Sequence, residues 1–218
     1  MAELIDLSHA IENGMITYKG LPAPIICDYL SREDSKKFYS EGTEFQIGKI
    51  EMVSNTGTYI DCPFHRYADG NDLSQVGLDS LADLEGVYID AIDQQAIGEE
   101  FFLNHNVKGK AILVNTEWSR HWRTDSYFEN HPFLTEEAAN YLVQAGAKLL
   151  GIDSYNIDDT RTKSRPVHSI LLKNNTLIIE HMTNLKLLQG KKFLLSAVPP
   201  KFVGVGTFPV RAFAKIIS

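Results

Sequence analysis

Residues Asn55 to His65 read NTGTYIDCPFH, and they carry most of what the chain discloses about itself. Asp61 and His65 stand in the frame D-x-P-x-H. Pro63 fixes its own φ and pushes Cys62 towards an extended conformation, so the path from aspartate to histidine is stiff. If Asp61 ends a strand, such a turn brings His65 back beside it. Gly57 allows a tight bend or a close approach of the preceding backbone. Two readings stay open at this level. Asp61 and His65 share a metal, or Asp61 caps a turn and His65 stands half exposed.

Working outward, 218 residues are enough to bury a substantial core, and no repeat, low-complexity run or Pro/Gly/Ser-rich linker divides them. A single domain over residues 1–218 follows. GVYIDAI, KAILVNT, KLLGID, TLIIE and KFLLSAV are apolar runs of buried-strand length. FQIGKIEMVS (45–54) alternates as a half-buried strand does. In LTEEAANYLVQAGA the apolar positions Ala138, Tyr141, Leu142 and Ala145 follow a helical period, with Thr135 as N-cap and Gly146 as stop. SLADLEG before VYIDA reads as a shorter helix leading into a strand. The fold class is α/β with a mixed sheet, its early third the more antiparallel part.

Composition narrows the function. A net charge of −7 with no basic stripe argues against nucleic acid. The opening MAELIDLSHAIENGM lacks a secretory pattern, and no apolar run reaches membrane-span length. Two cysteines, Cys27 and Cys62, are too few for a disulfide framework or a cysteine-zinc cage. A cytoplasmic protein acting on a small molecule, away from membranes, is expected.

His168 opens HSILLK where a helix begins, and Glu180 closes the apolar run TLIIE. A carboxylate directly after a buried strand needs a partner or an open cleft, or else it is a solvated strand end. Asp61, His65, His168 and Glu180 together have the composition of a metal site, two imidazoles with two carboxylates. Spacing alone does not show that they meet. His9 reads as a polar strand-end residue, and His105, His121 and His131 as solvated loop residues. His181 follows Glu180, so on a strand it points to the other face, while on a bend it reaches the same site. Cys62 reads as a small buried side chain first, with a thiol ligand or nucleophile as the alternative. GVGTFP (204–209) lacks the Lys-Ser/Thr of a phosphate loop, and no G-x-S-x-G elbow is present. The aromatic stretch EWSRHWRTDSYF (117–128) is a lid, an interface or a surface loop.

With these motifs in order, the chain resembles the cyclase-like family of metal-dependent hydrolases, which includes bacterial kynurenine formamidase and isatin hydrolase. The family frame H-x-G-T-H-x-D-x-P-x-H is matched at Gly57, Thr58, Asp61, Pro63 and His65. IDLSHAIENGM, AILVNTEWS, GIDSYNID, HSILL, IIEHMTNL and VPPKFVGVGTFPVRAFA resemble further family segments, in order and nearly end to end. The resemblance implies a swivelling β/β/α fold, a homodimer, and hydrolysis of an amide or lactam by metal-activated water. It implies Asp61, His65, His168 and Glu180 as metal ligands, and His65 or His168 as the acid-base group where it is not a ligand. N-formylkynurenine is the substrate the resemblance suggests, and ring-forming members of the family suggest a cyclase or lyase reaction as the alternative.

Asn55 and Tyr59 stand where the family carries two further ligand histidines. An amide oxygen is a harder, weaker ligand than imidazole, and a phenol with an ordinary pKa of about 10 is a poor one. One divalent ion per chain is therefore expected, zinc first and manganese second. Tyr59, with Asn55 beside it, becomes a candidate substrate or oxyanion contact. A binding protein that has lost catalysis is the rival reading of the same two replacements.

Overall fold

The computed structural model describes residues 3–217. Its strands are β1 (Leu4–Asp6), β2 (Ile25–Leu30), β3 (Ile47–Glu51), β4 (Tyr59–Asp61), β5 (Leu84–Asp90), β6 (Ala96–Ile97) and β7 (Ala111–Asn115). They continue with β8 (Phe133–Leu134), β9 (Leu149–Ile152), β10 (Leu177–Glu180), β11 (Lys192–Ser196), β12 (Thr207–Pro209) and β13 (Phe213–Ile217). The helices are α1 (Arg32–Ser35), α2 (Glu136–Gln144) and α3 (Pro166–Lys173).

Nine strands form one mixed sheet in the order β1-β13-β11-β5-β7-β9-β10-β4-β12. Its centre, β5-β7-β9-β10, is parallel, and both flanks are antiparallel. Strands β7, β9 and β10 are buried along their whole length because both faces are covered, whereas β5 keeps Glu85 and Asp90 exposed. Along β7, Ile112 and Val114 enter a cluster with α2 and α3, while Leu113 enters the opposite cluster with Ile60, Ile179 and Met182. That alternation is the period of a strand buried on both sides. The chain is thus of the expected α/β class with a mixed sheet.

Helix α2 forms as its sequence predicts. The Thr135 side chain accepts from the Ala138 N–H, Ala138, Ala139 and Leu142 are buried, and Gly146 turns the chain at φ +80°. Two expectations fail. Of SLADLEG only Ser80 lies in a helical turn, the last residue of the 3-10 turn Leu78–Ser80, and Leu84, Glu85 and Gly86 already belong to β5. One exposed turn is too short to be a helix that covers the sheet. The stretch 45–54 does contain β3, but all five strand residues are exposed, with Ile50 at 61 %. It pairs with β2 alone, in a two-stranded ribbon outside the main sheet. Alternation records which side chains share a face, and the ribbon buries neither of its faces.

Where the parallel centre meets the antiparallel edge, β10 lies between β9 and β4. Register sets Ile178 opposite Asp61 and Glu180 opposite Tyr59. Beyond β4, Thr207 of β12 stands opposite Asp61. These pairings bring residues far apart in sequence to one place.

Candidate metal centre

Asp61 is the last residue of β4 and is fully buried. Cys62 is extended, with φ −117° and ψ 170°, and Pro63 starts a 3-10 turn, Pro63–His65, that carries His65 back towards the aspartate. His65 Nδ1 lies 3.7 Å from Asp61 Oδ1, with a third of its side chain exposed. Cys62 is buried and its thiol is pushed up to about 11 by burial, so it is a packing residue, as read from the sequence. Gly57 sits at φ +68°, where a Cβ would meet the Ile11 side chain at 2.7 Å. The bend there lets Thr58 accept from the His9 N–H and donate to the His181 carbonyl.

His168 is the third residue of α3, close to the helix start predicted for it. Asp158 holds both the helix and the ring. Its Oδ1 accepts from the Val167 N–H at 2.7 Å, and its Oδ2 takes the His168 backbone N–H at 3.0 Å and ring Nδ1 at 2.6 Å. A carboxylate on Nδ1 places the ring proton there and leaves the lone pair on Nε2. Nε2 then lies 3.7 Å from Asp61 Oδ2 and 3.7 Å from Glu180 Oε1.

Asp61, His65 and His168 each offer one donor atom within 4.8 Å of the others. Glu180, fully buried at the end of β10, stands beside this cluster rather than within it. Its Oε2 accepts from the Tyr59 hydroxyl at 2.5 Å, and its Oε1 from the Ile157 N–H at 2.6 Å. Asn55 lines the same cavity, of about 220 Å³, and so do Tyr18, Arg66, Asn156 and Arg165.

The electrostatics are those of crowded carboxylates out of water. Burial, and then the negative charge of Asp61, raise the Glu180 carboxyl against the pull of His168. Burial also works to raise Asp61, but contact with His168 and the nearby imidazoles hold it below its ordinary value. Burial lowers the His168 imidazole, and Glu180, Asp158 and Asp61 together overcome this and raise it. Asp61 Oδ2 is buried without a hydrogen-bond partner. An orphaned carboxylate oxygen is costly unless a cation meets it. One carboxylate and two imidazoles make a borderline donor set of the type that holds zinc or manganese. The residues fit a divalent ion.

The remaining histidines divide. His131 is buried, not solvated: its Nδ1 faces the Pro132 carbonyl and its Nε2 the Thr160 hydroxyl. Those two partners let a loop histidine sink without carrying charge, and burial lowers its pKa. His181 lies on a bend at φ +57°, outside the ligand cluster and in contact with the Tyr59, Trp122, Tyr127 and Tyr155 rings. His9 is half-buried and stacks on Trp122 at 4.1 Å. The stretch 117–128 is thereby packed against the body of the protein, with Tyr127 buried.

Three contributors escaped the sequence reading. Thr207 donates to Asp61 Oδ1 and lies 2.8 Å from His65 Nδ1. One hydroxyl proton serves one acceptor, so Nδ1–H of His65 donates to Thr207 and Nε2 keeps its lone pair. Gly206 packs against the His65 turn, where a Cβ would fall 2.3 Å from the His65 nitrogen. The glycine in GVGTFP permits this approach. Asp158, inside the quoted segment GIDSYNID, was likewise not assigned a role.

The profile of the Cyclase family, described as "Putative cyclase", matches residues 5–159. The chain belongs to the Cyclase family. A kynurenine formamidase of Bacillus cereus is 27 % identical over 218 residues, spanning 99 % of each chain. Among solved structures, one described as a potential metal-dependent hydrolase with cyclase activity superposes with a TM-score of 0.82 at 23 % identity, covering all of both chains. Isatin hydrolase A from Labrenzia aggregata gives a TM-score of 0.82 at 18 % identity, covering 100 % of this chain and 94 % of that one. These likenesses establish the cyclase-like fold. Among the described residues no helix is long and apolar enough to cross a membrane.

Proposed function

We propose that this Cyclase-family chain is a metal-dependent hydrolase of a small amide-like substrate, an arylformamide or lactam. The observation that carries the reading is the convergence of Asp61, His65 and His168 around the unpartnered Asp61 Oδ2. The names of the relatives, kynurenine formamidase and isatin hydrolase, point to the same chemistry.

Asp61, His65 and His168 would hold the ion, with Glu180 as a fourth donor once its hydrogen bonds yield. When bound, a divalent ion polarises a carbonyl and brings water, with a pKa of about 15.7, towards neutrality. Asp158 fixes a proton on Nδ1 of His168, so Nε2 is the nitrogen turned to the ion, which would displace the proton that the carboxylates favour there. His65, at the rim, would hold the ion through Nε2, since its Nδ1–H is given to Thr207, and it then has no second lone pair for proton transfer. As water adds to the carbonyl carbon, the proton it gives up ends on the nitrogen as the C–N bond breaks. The products are a carboxylic acid and an amine.

The Tyr59 phenol is held protonated, its pKa well above the ordinary value through burial and the Glu180 charge. Its one proton is engaged by Glu180, so Asn55 is the freer candidate to donate to a developing oxyanion. The Tyr59–Glu180 bond also favours a second reading, a binding protein in which this carboxylate no longer serves catalysis.

Metal analysis of the purified protein, with chelation and add-back of zinc or manganese, decides between them. About one ion per chain, lost in His168→Ala, together with formamide or lactam hydrolysis, is expected. Ligand binding with neither metal nor turnover would establish the binding protein instead.

A further inference from the structure

Arg120, Arg123, Arg161 and Arg211 each hold a carboxylate within 4 Å. Arg66 and Arg165 hold none among the described residues, and both line the cavity that contains His65, His168 and Glu180. They flank the two histidines, Arg66 directly after His65 and Arg165 immediately before α3.

Both guanidiniums are anchored through part of their donor set. Arg165 Nη1 donates to the Thr162 and Ser164 carbonyls at 2.8 and 2.7 Å, and more weakly to Asp159 at 3.4 Å. Arg66 Nε donates to Ser169 Oγ at 3.2 Å. These bonds position the groups and neutralise no charge. The remaining N–H donors form planar forks suited to a carboxylate.

The charge of the cavity points the same way. Glu180 is its one lining carboxylate, and both its oxygens already accept hydrogen bonds. A divalent ion would be balanced by Asp61 and Glu180, and the Asp158 carboxylate on His168 offsets one of the two guanidiniums, which leaves one positive charge for a substrate carboxylate to meet. An ammonium group on the substrate would find no free carboxylate to meet it, and the guanidiniums would repel it.

We propose that Arg66 and Arg165 bind a carboxylate carried by the substrate beside its scissile amide, and that this substrate carries no ammonium group. The proposal rests on the hydrolase reading of the same site and narrows it to anionic amides, away from zwitterionic amino acids.

The test compares 2-formamidobenzoate, its uncharged methyl ester and the zwitterionic 4-formamidophenylalanine as substrates of the metal-loaded protein. Titration calorimetry with benzoate and methyl benzoate supplies a readout free of turnover. The expected result is a kcat/KM for the acid at least about tenfold above either alternative, since a charged bidentate contact is worth that much or more. Arg66→Gln and Arg165→Lys should each shrink the acid-to-ester ratio mainly through KM, and should weaken benzoate more than methyl benzoate. Arg66 is exposed, so its variant tests the idea even if loss of the Arg165 anchors unfolds the chain. Equal turnover of acid and ester, a preference for the zwitterion, or a ratio unchanged in Arg66→Gln would overturn the proposal. Arginine-dependent binding of benzoate without hydrolysis of any probe would uphold it and remove the hydrolase reading.

Discussion

The Tyr59 hydroxyl donates to Glu180 Oε2 at 2.5 Å, across the register that sets β4 against β10. Both residues are buried, and the phenol is a better donor than acceptor at any pH below its raised pKa. The aromatic ring therefore occupies this corner of the site and fixes the carboxylate.

Removing that donor isolates the interaction. Tyr59→Phe keeps the ring and leaves Glu180 with the Ile157 N–H alone. The loss should be about 2 kcal/mol of stability, the usual cost of depriving a buried charged acceptor of its partner. Urea denaturation measures it, and a change below a few tenths would mean that water replaces the phenol freely.

Asp158→Asn tests the support of His168. The amide keeps only one acceptor oxygen, so its NH2 must face either the Val167 N–H or the two His168 N–H groups. Metal affinity should fall roughly 10- to 100-fold, as for other outer carboxylates on ligand imidazoles. Competition with a chromophoric chelator reads this directly, and unaltered affinity would show that the ring needs no such anchor.

Gly206→Ala addresses the His65 turn from its other side. A methyl group there would lie 2.3 Å from the His65 nitrogen and 2.5 Å from its Cα, and neither atom belongs to a side chain that can swing away. The strain should cost about 1–3 kcal/mol, and it should lower metal occupancy if the turn that moves carries the proposed ligand His65. Thermal unfolding and metal content, measured on one sample, check both.

Asp153 gives a pH dependence remote from the metal ligands. Its carboxyl is raised to about 6 by burial, against hydrogen bonds from Thr116. The folded state thus binds this proton more tightly than the unfolded chain does. The Asp153 contribution is unfavourable above about pH 6 and is relieved as pH falls towards the unfolded value near 4. Wild-type stability relative to Asp153→Asn should therefore rise between pH 7 and pH 4, as seen in denaturation at several pH values. A constant difference would mean that Asp153 titrates normally.

The strands and α2 were legible because local period and capping determine them, as at Thr135 and Gly146. The motif pointed to Asp61 and His65, and the structure brings His168 to the same place, with Glu180 beside that cluster. Thr207 was not legible, since it lies 146 residues from Asp61 and 142 from His65 and meets them only through the β4–β12 register. Arg66 and Arg165 are ordinary surface residues in sequence, and become notable only when the cavity shows that no carboxylate meets them. His131 and β3 misled in opposite directions. Polar neighbours hid a buried ring with two partners, and alternation suggested a covered face where the ribbon has none.

Asp61 and His168 are sealed from solvent, whereas His65 stands a third exposed on a turn of three residues. An ion in this centre therefore has one hinge and one doorway. Swinging His65 outward opens the centre while the other two donors stay in place. If the proposed ion is held here, its loss would begin at that residue, and its lifetime would follow the rigidity of a prolyl turn wedged against Gly206. Stiffening or loosening this short segment would change how fast the ion exchanges while leaving the deep donors untouched.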